Sequence, residues 1–202
     1  MNDQTKIYIT GLPRTGTTSI CAAMLDIGYR VAHTAYTDKA LQQAQVIADT
    51  PIFCDFETLA LSQPSAKFIH LTRDEKLWLP SIKQLLNRMY KNVTRTDGGF
   101  NPVLKRCYQS VFSPLTLENI NHDEFLINIY REHHQRVLTC FKSQPERLLT
   151  INIAEPESYA KMLAFLGHDN DHAGMFEKIN VGGKITYWNS IKHPNKIDAN
   201  LK

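Results

Sequence analysis

The stretch Lys6-Ile-Tyr-Ile-Thr-Gly11-Leu-Pro-Arg14-Thr-Gly16-Thr-Thr-Ser19 decides the fold. Lys6 to Thr10 form a short β-rich run that Gly11 closes, and from Thr17 onward Ile20, Ala23, Met24 and Ile27 recur at helical spacing until Gly28 stops them. Strand, glycine-bearing loop and helix in that order are the setting of a Walker A loop. Its backbone N–H groups and the N-terminus of the following helix form a concave site for phosphate oxygens. The sequence departs from that motif at one place. Thr17 stands where a nucleotide triphosphatase carries the lysine that reaches the outer phosphates, and the loop's cation is Arg14 instead. Anion binding is retained while ATP hydrolysis is disfavoured.

Outward from this unit the chain keeps alternating. Tyr29 to Ala32 reads as a second strand and about Lys39 to Val46 as a helix. Asp49-Thr50-Pro51 reads as a helix opening, with an Asp cap and an early proline, for a helix that Pro64 ends. Lys67 to Thr72 is a buried-strand pattern, and Asp74 can cap the helix carrying Trp78, Ile82, Leu85, Leu86 and Met89. Residues 92–121 turn polar around Asp97-Gly98-Gly99 and are expected to form a mobile insertion with a short helical stretch. A long amphipathic helix from about Asp123 to Lys142, a strand at Leu148 to Ile153 and a helix at Pro156 to Leu166 complete the pattern. Repeated strands separated by helices predict an α/β protein of three layers, α/β/α, around a central, mostly parallel sheet with its ligand at the carboxyl ends of the strands. The expected organisation is one domain over residues 1–202, with an insertion or acceptor-side subregion at about 92–121.

Composition narrows the functional classes. A length of 202 residues is enough to bury a core without staples, and no apolar run approaches the length of a membrane span. A net charge of +3 is too small to predict nucleic acid as a partner and suits a small anionic ligand equally well. No charged-then-apolar leader precedes the first strand, so a cytoplasmic location is expected. Cys21, Cys54, Cys107 and Cys140 are scattered, without a CxxC pair or nearby histidines at ligand spacing, and read as buried free thiols; no metal site is predicted.

Arg14-Thr15-Gly16-Thr17-Thr18 resembles the 5′-phosphosulfate loop of sulfotransferases, which runs basic residue, Ser or Thr, Gly, Thr, Thr. A second motif stands behind it. After the Lys67 to Thr72 strand come Arg73 and, eight positions later, Ser81, as in the segment with which that family binds the 3′-phosphate of its donor. A guanidinium offers a phosphate a bidentate fork and a serine hydroxyl adds one directed hydrogen bond. The resemblance extends to small sulfotransferases through Gly28-Tyr29 with His33, Asp49-Thr50-Pro51, and Leu71-Thr72-Arg73-Asp74 to Trp78 and Ser81. It covers about residues 6–90 well and 123–180 loosely, leaving the middle segment uncovered.

What the resemblance implies is an enzyme that moves a sulfuryl group from 3′-phosphoadenosine 5′-phosphosulfate to a hydroxyl or amine of a small-molecule or carbohydrate acceptor, with no metal required. Pro13, Arg14, Thr15, Gly16, Thr17, Thr18, Arg73 and Ser81 would bind the donor. Lys184, in Gly182-Gly183-Lys184, would reach the 3′-phosphate from a late loop, although the fuller arginine-lysine-glycine signature is absent. Arg14 would stabilise charge on the departing oxygen. For the base that accepts the acceptor's proton, His33 and Asp49 are the candidates, singly or as an oriented pair, with Asp55 and Glu57 in reserve. His70 alternates with Ile69 and Leu71 inside a strand and reads as a packed structural residue. A P-loop nucleotide kinase and a non-catalytic nucleotide-binding module are the rival readings.

Overall fold

The computed structural model describes residues 5–168, 174–176 and 187–202. β1 (Ile7–Ile9) leads through the glycine loop into α1 (Thr17–Asp26), followed by β2 (Val31–Ala32), α2 (Asp38–Gln43), β3 (Val46–Ile47) and α3 (Ile52–Ser62). β4 (Lys67–Leu71) then precedes four helices: α4 (Glu75–Thr94), α5 (Pro102–Val111), α6 (Leu117–Asn121) and α7 (Asp123–Cys140). β5 (Leu148–Ile151), α8 (Ser158–Leu166) and the short α9 (Tyr187–Ser190) follow. The five strands make one parallel sheet in the order β2-β3-β1-β4-β5.

Alternation along each strand sorts the side chains into two layers. Ile7 and Ile9 of β1 and Ile69 and Leu71 of β4 pack with Ile20 and Met24 of α1 and Met162 and Leu163 of α8. Tyr8 and Phe68 belong to the opposite face, with Ile52 and Phe56 of α3 and Val137 and Phe141 of α7. Covering both faces in this way is what makes an all-parallel sheet stable, and the expected three-layer α/β/α architecture is the one observed. Phe68 and Phe141, both fully buried with ring centroids 4.6 Å apart, each contribute on the order of 2 kcal/mol through burial.

Three local expectations are corrected. The helix predicted through Val46 ends at Gln43, because Ala44 takes an extended backbone (φ −72°, ψ 139°) and releases Val46 and Ile47 to pair with β1 and β2. Asp49 does not cap α3. Its backbone is left-handed (φ 48°), and its carboxylate instead accepts from the Thr50 hydroxyl at 3.1 Å. The 92–121 segment carries two packed helices rather than a polar insertion with one short helical stretch: Cys107 and Tyr108 of α5, Phe112 just after it, and Ile120 of α6 are buried with Trp78, Leu86 and Met89 of α4 in a further core.

The chain's last residues, where no periodicity is visible, fasten onto the β2 edge. Val31 donates to the Asn195 carbonyl and Ile197 donates to the Val31 carbonyl, both at 2.9 Å, while Tyr36 donates to Ala199 at 2.8 Å. These bonds occupy an edge that would otherwise offer unpaired donors and acceptors. Among the described residues no helix is long and apolar enough to cross a membrane.

Candidate active site

Strand order places the two motifs together. β1 and β4 are neighbours in register Ile9 to Ile69, so the loops that follow them leave the same edge of the sheet side by side. The first loop depends on its glycines. A Cβ on Gly11 would lie 2.5 Å from Leu71 Cβ and 2.9 Å from the Leu71 carbonyl oxygen, and Gly16 holds φ 110° where a side chain would run into Ile153. Only glycine lets the backbone pass so close to β4 and then turn into α1. α1 begins at Gly16 without a side-chain cap and without an acidic residue in its first turn, leaving its positive end suited to an anion.

Arg14 and Asp49 are the two non-glycine residues with positive φ among the described residues, at 74° and 48°. Left-handed backbone costs such residues about 1 kcal/mol or more each and persists where the surroundings over-determine it. In Arg14 the surroundings are visible. Its Nε donates to the Ser81 hydroxyl at 2.7 Å, and its carbonyl accepts from Arg73 Nη1 at 2.8 Å. Trp78, three residues before Ser81 on the same face of α4, donates from Nε1 to the Pro13 carbonyl at 2.9 Å. Thr15 closes the turn by donating its hydroxyl to the Leu12 carbonyl at 2.7 Å.

Two cations are thus held together without a carboxylate. Neither Arg14 nor Arg73 forms an ion pair among the described residues, and burial, then the charges of Arg73 and Arg88, depress the pKa of Arg14. Such a cluster is electrostatically unfavourable by itself and is relieved by an anion of two or more charges. The residues present therefore fit an anion of two or more charges.

Tyr130 of α7 was not visible in the sequence as a site residue. Its hydroxyl accepts from the Arg73 N–H and donates to the Arg73 carbonyl, both at 2.8 Å, and its ring packs on Trp78 with centroids 4.7 Å apart. Both backbone polar groups of Arg73 are satisfied by one side chain.

On the opposite side of the loop His33 and Asp49 meet the threonines. His33 Nε2 lies 3.1 Å from the Thr18 hydroxyl and 3.3 Å from that of Thr17, and Thr17 also hydrogen-bonds to Asp49. Thr17 has a single proton, so donating it to the carboxylate leaves its oxygen to accept from His33 Nε2–H. Burial pushes the Asp49 carboxyl up, against the opposing pull of His33 and of hydrogen bonds from Thr50 and Thr17. Burial likewise holds the His33 imidazole below its ordinary value, with Asp49 opposing and Lys196 reinforcing. Trp188 lies over His33 with ring centroids 5.4 Å apart, so the C-terminal segment walls this side.

The remaining candidates fall elsewhere. Asp55 and Glu57 are spent on ion pairs, with Arg106 of α5 at 2.6 Å and Arg136 of α7 at 2.7 Å. His70 is buried, bonded through Nδ1 to the Thr10 hydroxyl at 3.0 Å and through Nε2 to His134 at 2.9 Å, as a structural histidine should be. Lys184 lies outside the described residues. A family model described as a sulfotransferase domain matches residues 34–185, well over half the chain; the match takes in Asp49, Arg73 and Ser81 and begins after the glycine loop. No curated protein matches the chain.

Proposed function

The chain belongs to the sulfotransferase domain family and is an enzyme of that type, and from this premise we propose that it uses 3′-phosphoadenosine 5′-phosphosulfate as its donor and a hydroxyl or amine as its acceptor. The observation that carries the proposal is the Arg14–Ser81–Arg73 cluster, two carboxylate-free cations joined where the β1 and β4 loops leave the sheet. When bound, the donor supplies a sulfuryl group on an activated phosphosulfate. Pro13 to Thr18 cradle its 5′ end with backbone N–H groups and hydroxyls, and Arg73 with Ser81 takes the 3′-phosphate. Arg14, held by Ser81, would stabilise the negative charge that grows on the departing oxygen and so lower the barrier. His33 accepts the acceptor's proton while Asp49 stabilises the imidazolium that results.

Residues 1–202 act in this reading as one sulfotransferase domain, cytoplasmic, with 92–121 on the acceptor side and a small molecule or carbohydrate as acceptor. Arg73 and Ser81 distinguish the donor from ATP, which lacks a 3′-phosphate. The test is thermal unfolding with 3′-phosphoadenosine 5′-phosphate, with ATP and magnesium, and with buffer, because a ligand that binds only the folded state raises the midpoint. The desulfated nucleotide is expected to raise it at concentrations where ATP with magnesium does not. Stabilisation by ATP with magnesium alone would overturn the donor assignment.

A further inference from the structure

Cys54 and Cys107, 53 positions apart in sequence, come together between α3 and α5. Their sulfurs and a carboxylate oxygen of Asp55 all lie within 4.8 Å of one another. The two thiols differ in surroundings. Cys54 is partly exposed and Cys107 fully buried, so a small solute reaches the first and not the second. Arg106, on the same helix as Cys107, grips Asp55 with both nitrogens at 2.8 and 2.6 Å and places Nη1 3.7 Å from Cys54 Sγ.

We propose that Cys54 is a peroxide-reactive thiol and Cys107 its resolving partner, so that the pair takes hydroperoxides and closes to a disulfide. The polarity follows from hydrogen bonding and access together. Cys107 shares a hydrogen bond with Cys54 that holds the Cys54 thiol below its ordinary value and pushes the Cys107 thiol up; Arg106 acts on Cys54 in the same direction, while burial and Asp55 oppose it. The thiolate is the nucleophile, and a cation beside a partly exposed cysteine is the environment that favours it. In the first step the Cys54 thiolate attacks one peroxide oxygen. The S–O bond forms, the O–O bond breaks, and the departing hydroxide or alkoxide takes a proton from water. In the second step Cys107 sulfur attacks the Cys54 sulfenic acid, the S–S bond forms, the S–O bond breaks, and water leaves with the Cys107 proton. The two thiols lose two electrons and the peroxide gains them.

A closed metal site is the competing use of the same three groups. The bidentate grip of Arg106 on Asp55 occupies the carboxylate and sets a positive charge beside the sulfurs, which disfavours a cation there. The disulfide would cross-link the first turn of α3, three residues after Pro51, to the helix bearing Tyr108, whose ring packs edge-on against Phe53 at 5.5 Å.

The experiment treats the reduced full chain with hydrogen peroxide and maps the cysteine peptides without reductant. The expected product is a linked Cys54–Cys107 peptide lighter by two hydrogens. In Cys107→Ser the expected product is a Cys54 sulfenic acid trapped by a dimedone probe, and in Cys54→Ser Cys107 stays reduced. Cys140, partly exposed but with its thiol pushed up by burial, is the internal comparator and should react more slowly than Cys54. Equal rates at Cys54 and Cys140, absence of the linked peptide, or one equivalent of zinc retained by both thiols would each overturn the proposal. These readouts are chemical and independent of sulfuryl transfer.

Discussion

Arg14 donates from Nε to the Ser81 hydroxyl across 2.7 Å, tying the loop after β1 to the helix after β4. One side chain therefore joins both loops of the proposed donor site, and its removal should cost differently from removal of its partner. Arg14→Ala is expected to lower kcat by roughly 100-fold or more, the scale seen when a fixed transition-state donor is deleted. Ser81→Ala should mainly weaken donor binding, by roughly 5- to 10-fold, since one hydrogen bond is worth about 1 kcal/mol. Steady-state kinetics with varied donor separates the two; equal kcat losses in both variants would contradict separate roles.

Tyr130 offers a second test, because it touches Arg73 only through the backbone. Tyr130→Phe keeps the ring on Trp78 and leaves the Arg73 N–H and carbonyl without their shared hydroxyl. The expected result is a donor KM raised by roughly 5- to 10-fold with kcat little changed, from an orienting loss of about 1 kcal/mol. A fall in stability without any change in donor KM would make Tyr130 a packing residue alone.

How much of this was legible in sequence depended on the range of the interaction. Gly11 to Thr18 and Arg73 to Ser81 were legible because glycine spacing, hydroxyls and cations lie within one loop or one helical face. β3 was missed because its two residues earn strand geometry from β1 and β2, while Leu41 to Val46 read locally as a continuing helix. The Asp49 cap is not formed because that residue's backbone is left-handed and its carboxylate bonds to Thr50 and Thr17 instead, neither of which local sequence reveals. Residues 92–121 look like a polar loop, since a few scattered residues, Val93, Cys107, Tyr108, Phe112 and Ile120, carry the buried packing. Tyr130 and the Cys54–Cys107 pair meet their partners only across the folded chain.

The base assignment predicts a direction in pH. His33 accepts a proton only when neutral, and burial holds its value below the ordinary 6.5, so kcat should fall only as pH drops through that lowered value. Asp49 opposes the lowering, so removing its charge in Asp49→Asn should move the acid limb to still lower pH. His33→Ala should lose roughly 100- to 10,000-fold in kcat, the span of general base catalysis. Wild-type turnover in both variants would remove the pair from the mechanism.

The buried histidines beneath the site predict acid sensitivity of the fold itself. His133 donates from Nε2 to the Phe53 carbonyl at 2.8 Å, and burial lowers its value from 6.5 to about 4. Between those values the unfolded chain binds a proton that the folded chain refuses, so stability rises with pH and is lost on acidification through that window. The interval corresponds to roughly 3 kcal/mol for His133. His70, held well below its ordinary value by burial and by His133 and His134, acts in the same direction. Urea unfolding of wild type across the window should therefore show a falling midpoint as pH is lowered. His133→Gln, which can still donate to Phe53 without titrating, should flatten the dependence while lowering stability near neutrality. An unchanged slope in that variant would place the acid sensitivity in other groups.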